Sequence, residues 1–164
     1  QIGNNTIIES GAIIKKNNKI GNNCIIRSGA VIGGEGFSFE RTKKDLHHMK
    51  AFGGVKIGNN VSVGINSSIC KSTFDFTLIG DYSQIDTLVQ VAHNTTIGKH
   101  TTITGGSQIG GSTKIGNNVW LSPCTNISNG LNIGDNVFVG IGSVVIKDIK
   151  KGNRVFGNPA RKID

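Results

Sequence analysis

Val89-Gln90-Val91-Ala92-His93-Asn94-Thr95-Thr96-Ile97-Gly98 lies near the middle of the chain and carries, in ten residues, the rule that governs most of the rest. Val91 and Ile97 are large aliphatics six positions apart, and Thr95 stands four residues after the first of them. Outward in both directions the spacing continues. Large aliphatics occupy Ile2, Ile8, Ile14, Ile20, Ile26 and Ile32, then Ile57, Val63 and Ile69, and then every sixth position from Ile79 to Val145. A small or β-branched residue follows most of them four positions on, as at Thr6, Cys24, Ala30, Ser67, Ser83, Thr101 and Ser143, while Asn18 and Leu131 depart from this.

A period of six suits neither an amphipathic helix nor an alternating strand. It suits a short strand followed by a sharp corner, with one large and one small side chain turned inward per unit. Ile-Gly-Asn-Asn at 2–5, 20–23, 57–60 and 115–118 supplies such corners, because Gly and Asn tolerate positive φ. Three units close a triangular coil of 18 residues, and the 21 units present make seven coils. Stacked at ~4.8 Å, they predict an all-β protein, a parallel β-solenoid roughly 30 Å tall.

Two interruptions break the period. Residues 33–54 contain Gly33-Gly34-Glu35-Gly36-Phe37-Ser38-Phe39, followed by Arg41, Lys43, Lys44, Asp45, His47 and His48. A loop this long in a tight solenoid is functional or disordered. Phe37 and Phe39 either present a surface to a ligand or tuck the loop against the prism. The second interruption, 71–77, adds four residues at one corner. The expected organisation is a repeat domain over 1–146 with these two insertions, and a basic cap over 147–164. In the cap, Lys147, Lys150, Lys151, Arg154, Arg161 and Lys162 fall within sixteen residues, and Ile149 with Phe156 is expected to cover the last coil.

Composition narrows the class. Only 36% of residues are apolar and 5% aromatic, thin for a globular core, yet the regular spacing of the aliphatics separates the chain from disordered sequences. No apolar run is long enough to span a membrane, and no signal peptide is visible. The chain begins at Gln1, already inside the repeat, which fits a piece of something longer. Three cysteines at unrelated spacings form neither a disulfide framework nor a zinc pattern, and read as small fillers in a reducing cytoplasm. A net charge of +8 suits an acidic protein partner or a phosphorylated small molecule. Nucleic acid is disfavoured, since no recognition helix or aromatic-studded basic strand is present.

His93 occupies an outward position of the repeat. An imidazole with an ordinary pKa of about 6.5 can take a proton near neutral pH, and a solvated surface histidine is the alternative. Asp86 is seven residues earlier, on another part of its coil; it can stabilise an imidazolium or serve as an ordinary corner residue. Gly111 follows His93 by 18 residues, one coil, so the two stack, and its N–H can face an oxyanion. Gly110 and Asn94 serve the site or the corners. His93, His100, His47 and His48 offer no plausible zinc set, so no metal is expected.

The repeats with an outward histidine resemble the left-handed β-helix acyltransferases, and Gly157-Asn158-Pro159-Ala160-Arg161 resembles the closing motif of their acetyl-CoA-dependent sugar members. More specifically, residues 33–39, the 71–77 corner, Ile85-Asp86-Thr87-Leu88-Val89-Gln90-Val91-Ala92-His93-Asn94 and the run from Ile109 to Gly116 resemble the repeat domain of the UDP-3-O-acylglucosamine N-acyltransferases of lipid A synthesis. The resemblance implies a left-handed coil, opposite to the hand that crossover connections ordinarily take. It implies a cytoplasmic bacterial homotrimer with sites between neighbours. It further implies acyl transfer from acyl-CoA (acetyl-CoA) or the phosphopantetheine of acyl carrier protein to the amine of a nucleotide-linked amino sugar.

Within that implied reaction His93 is the base, assisted by Asp86 and Gly111, with Asn94, Phe37 and Phe39 near the acceptor. The donor follows Gly110 toward Lys147, Lys150, Lys151, Arg154 and Arg161. Two departures stand out: those enzymes carry an N-terminal domain that contributes to uridine recognition, and a second histidine two coils beyond the first, where this chain has Gly130. A sugar O-acetyltransferase and a non-catalytic trimeric scaffold are the competing functions.

Overall fold

Large aliphatics six residues apart stack directly above one another when three units close a turn, and the resulting ladders form the core. Ile26, Ile32, Val63, Ile69, Ile103, Ile109 and Leu121 are all completely buried. The computed structural model describes residues 1–163. Short strands form three parallel sheets, one per face of a prism. The first face runs from Ile7–Ile8 to Arg154–Phe156, the second from Ile13–Ile14 to Val144–Val145, and the third from Lys19–Ile20 to Asn132–Ile133. Each strand pairs with the strand one turn away, in register, as in Ile85↔Ile103 and Ile103↔Leu121.

The solenoid has about eight turns rather than seven. Ile149 bridges Ile133, and Val155 pairs with Val139, so the eighth turn lies inside the segment expected to be only a cap. Val155 is buried and Phe156 is exposed. Neighbouring strand residues point to opposite sides, so placing Val155 inward turns Phe156 out, where it lies over Gly140 and cannot cover the coil end. The end is closed instead by Arg161–Ile163, which returns antiparallel to Arg154–Phe156, and by the Ala160 N–H donating to the Val144 carbonyl at 2.8 Å.

Corners obey local chemistry. Asn5, Asn23, Asn60, Asn118 and Asn136 adopt positive φ on one edge. Tyr82, Leu88, His100 and Cys124 adopt it too, imposed by the stacked coils rather than by propensity. At Gly98 an added Cβ would sit 2.5 Å from the Gly116 backbone, which explains the glycine after the aliphatic. Inward hydroxyls bond between layers, as where Ser83 Oγ donates to the Gly98 carbonyl at 2.7 Å and Thr101 Oγ1 to that of Gly116 at 2.9 Å, or within the turn, as where Ser143 Oγ donates to the Gly140 carbonyl at 2.7 Å; Thr77 Oγ1 is buried without a partner among the described residues. Cys24 is a buried filler; Cys124 is exposed at a corner and fills nothing.

Asn18, the exception to the small inward residue, has a structural cause. Its side chain donates to the Ile32 carbonyl at 2.9 Å and accepts the Val55 N–H at 2.8 Å, joining the two ends of the 33–54 insertion. Beyond that anchor the insertion forms a hairpin, with Phe39–Arg41 antiparallel to Leu46–His48, exposed throughout residues 39–50. Among the described residues no helix is long and apolar enough to cross a membrane.

The faces differ in charge. Outward residues of the second face, Ile13, Val31, Ser68, Gln90, Gln108, Asn126 and Val144, include no charge, whereas the third presents Lys19, Lys56 and Lys114.

Candidate active site

The edge between the second and third faces carries His93. The 18-residue period stacks Gly111, Asn129 and Lys147 above it in successive turns. Layer-to-layer bonds hold this column: the Ser112 N–H donates to the His93 carbonyl at 2.9 Å and the Gly130 N–H to the Gly111 carbonyl at 2.8 Å. The imidazole is wedged between two glycines. A Cβ on Gly111 would lie 2.9 Å from His93 Cε1 and 3.0 Å from Nε2, and a Cβ on Gly36 would lie 2.8 Å from Cδ2. His93 Nδ1 is buried with no hydrogen-bond partner among the described residues. Gly36 escaped the sequence analysis; the only signal for it was a glycine between Glu35 and Phe37 in a loop too long to be a corner.

The two interruptions of the repeat meet beside this histidine. Lys71 Nζ, nearly buried, pairs with Glu35 Oε1 at 2.6 Å, and the Lys71 N–H donates to the Gly34 carbonyl at 3.0 Å. Asn94 Oδ1 accepts from Ser72 Oγ at 2.7 Å and from the Thr73 N–H at 2.8 Å, so its carbonyl oxygen fastens the 71–77 corner. The Phe52 N–H donates to the Thr73 carbonyl at 2.8 Å, tying the end of the first insertion to the second. A cleft of about 390 Å³ opens beside this junction, lined by Lys19, Phe52, Phe74 and Phe76 among others.

The Lys71 ammonium, hydrogen-bonded to it, holds the Glu35 carboxyl below the usual carboxylate range against the opposing effect of burial; the Ala51 N–H and His48 act in the same sense. A depressed folded pKa contributes stability that is present above the unfolded value and is lost as pH falls through the folded one. Amide protection factors across residues 35–53, the free-peptide exchange rate at each pH divided by the observed rate, are therefore expected to be highest at neutral pH and to fall on acidification below the ordinary glutamate range. Glu35→Gln should be weakly protected already at neutral pH and show no acid step; a step identical to the wild type would remove Glu35 as its source.

Other expected site residues are not gathered here. Asp86 lies on the opposite edge of the second face, and its Oδ2 accepts the Gly105 N–H at 3.0 Å; it does not contact His93 within the subunit. The Gly111 N–H, expected to face an oxyanion, donates to Asn129 Oδ1 at 3.0 Å, so a substrate oxygen can use it only if that side chain swings away. A Cβ on Gly110 would lie 2.5 Å from Asn129 Oδ1, so Gly110 makes room for the next turn. Phe37 and Phe39 rest on each other at 4.7 Å, and Phe39 on His48 at 5.2 Å; Phe37 is 87% exposed.

The basic residues encircle the last turn. Lys147 belongs to the His93 column. Lys150 and Lys151 line a groove of about 540 Å³ with Lys114 and Asp148, Arg154 lies over the Phe138 ring on the first face, and Arg161 is on the closing strand.

The family model for the bacterial transferase hexapeptide (six repeats) matches residues 1–34 and 76–111. Over these two stretches the chain is similar to the bacterial transferase hexapeptide repeats. The chain is 42% identical over 162 residues to UDP-3-O-acylglucosamine N-acyltransferase 2 of Legionella pneumophila, covering 99% of its own length and 42% of the relative's. It thus spans less than half the length of the curated relatives it matches. The solved UDP-N-acetylglucosamine acyltransferase from Campylobacter jejuni superposes with a TM-score of 0.81 at 22% identity, covering 99% of this chain and 69% of that one. A histidine-to-alanine variant of GDP-perosamine N-acetyltransferase from Caulobacter crescentus, in complex with CoA and GDP-perosamine, gives 0.58 at 17% identity, covering 96% and 57%. The parallel β-solenoid expected from the spacing is the fold shared with these neighbours.

Proposed function

We propose that the chain carries the catalytic surface of an N-acyltransferase, moving an acyl group from a thioester to the amine of a nucleotide-linked amino sugar in lipid A or related surface-glycan synthesis in the bacterial cytoplasm. The observation that carries this is the His93 imidazole held edge-on against Gly111, where no side chain intervenes between its Cε1–Nε2 edge and the next turn. The 42% identity to an N-acyltransferase along nearly the whole chain supports the reaction class.

In this reaction the amine lone pair attacks the thioester carbonyl carbon and forms the C–N bond. His93 takes the proton released from nitrogen. Collapse of the tetrahedral oxyanion breaks the C–S bond, and the imidazolium returns its proton to the thiolate, leaving an amide and a free thiol. The Gly111 N–H stabilises the oxyanion once Asn129 yields it. A donor arm laid along the column toward Lys147 spans three turns, ~14 Å at the layer spacing. Mass spectrometry of mixtures containing UDP- or GDP-linked amino sugars with acyl-CoA or acyl carrier protein tests the proposal: an amide product supports it, and an ester or no product from any pair defeats it.

The uncharged second face offers the contact surface for a homotrimer, because no like charges oppose packing there. His93 and Asp86 stand on its two edges, so threefold packing brings the Asp86 edge of one copy to the His93 edge of the next, where the carboxylate stabilises the imidazolium. Co-assembling His93→Ala with Asp86→Ala chains is expected to regain activity that neither homotrimer has. A monomer by light scattering, or mixed trimers as inactive as their parents, would rule out the shared site.

A further inference from the structure

The hairpin over residues 37–50 projects into solvent; its arms are tied by the Met49 N–H donating to the Ser38 carbonyl at 2.9 Å, and the Glu35 side chain joins them to the prism. Glu35 Oε1 binds Lys71 Nζ at 2.6 Å on the prism, while Oε2 accepts the Ala51 N–H, at 3.4 Å, from the segment that returns after the Leu46–His48 strand. The next residue, Gly36, lies against the Cδ2 edge of His93, too close for any Cβ. The prism side of this contact is stiff: Lys71 precedes Ser72 and Thr73, which hold Asn94, the residue after His93. Glu35, Gly36, His93, Asn94, Ser72 and Lys71 thereby form a closed circuit of contacts around the imidazole. The Lys71 side chain is only 11% exposed, and a buried ammonium is costly to leave without its counter-charge.

We infer that Glu35 and Lys71 are a positioning pair for His93: their ion pair presses the Gly36 backbone onto one edge of the imidazole, so that the ring keeps its Cε1–Nε2 edge toward Gly111. Neither side chain needs to touch a substrate. The inference rests on the acyl-transfer proposal for its catalytic consequence, but the restraint on the ring exists independently of any reaction. It also assigns a purpose to both breaks in the repeat. One supplies the wall over the histidine and the other supplies the cation that holds that wall in place.

The test separates the two levels. Modification of His93 by diethyl pyrocarbonate, followed by peptide mass spectrometry with His47, His48 and His100 as internal references, reads the restraint without turnover. Glu35→Gln and Lys71→Met should each make His93 react several-fold faster relative to those references and lower kcat roughly ten- to a hundredfold with KM little changed. The charge-swapped double variant Glu35→Lys/Lys71→Glu should recover most of both. Where a single variant fails to fold, Glu35→Gln/Lys71→Met, which leaves no unpaired buried charge, is used; it should keep its melting transition and still show the fast His93. Unchanged His93 reactivity in a folded variant overturns the inference, as does a swap that restores stability without restoring ring protection. If the wild type transfers no acyl group while the reactivity shifts appear, the acyl-transfer proposal falls and the positioning pair stands.

Discussion

Replacing His93 by Ala is expected to lower turnover by roughly 10²–10⁴-fold, the usual contribution of a general base, while the thermal transition stays where it is. The two outcomes part because the imidazole belongs to an edge of the prism rather than to its core: the inward neighbours Val91 and Thr95 are buried and remain, whereas His93 is half-buried between Gly36 and Gly111. The truncated side chain leaves a slot bounded by two glycines, so free imidazole in the assay should restore part of the rate. A variant that keeps wild-type turnover would end the assignment of His93 as base. One that loses its melting transition would show that the ring is structural.

Gly111→Ala should cost about as much as a misplacement of the reacting groups by an ångström, roughly 10²-fold in rate. The added methyl would stand 2.9 Å from Cε1 and 3.0 Å from Nε2 of His93, and a side chain is what must move. Gly111 does not adopt a left-handed φ, and its N–H bond to Asn129 involves no atom that the substitution removes. Folding should therefore survive. Gly110→Ala is the contrasting control, because its methyl meets the Asn129 backbone nitrogen at 2.6 Å, and the coil itself must give way. Paired measurements of kcat and melting temperature are expected to show an activity loss for Gly111→Ala and a stability loss for Gly110→Ala. Equal melting losses in both would place Gly111 with the architecture.

Much of the site was visible before any coordinates because the solenoid turns sequence distance into spatial distance. An interval of 18 residues means one layer, so the stacking of His93 and Gly111 could be counted. The same rule keeps Asp86 away from His93, since seven residues place it on another edge of the same turn. Gly36, Glu35 and Lys71 were not accessible to counting. They belong to the two insertions, where the period fails, and only the folded path of the 33–54 hairpin brings Gly36 over the ring and Glu35 onto Lys71.

By itself the sequence determined the architecture: alternating large and small inward residues, repeated every six positions, can be buried together only in a stacked triangular coil, and this needs no information beyond spacing. It also determined which column holds the histidine. The tertiary structure decided what surrounds it. It showed that Asn18 binds the ends of the insertion, that the last basic segment completes an eighth turn with Val155 inward, and that the Gly111 N–H already has a partner in Asn129. The physical reason is that periodic contacts are set by backbone geometry common to every turn. Contacts made by insertions and by individual polar side chains depend on which partner each finds once the turns have closed.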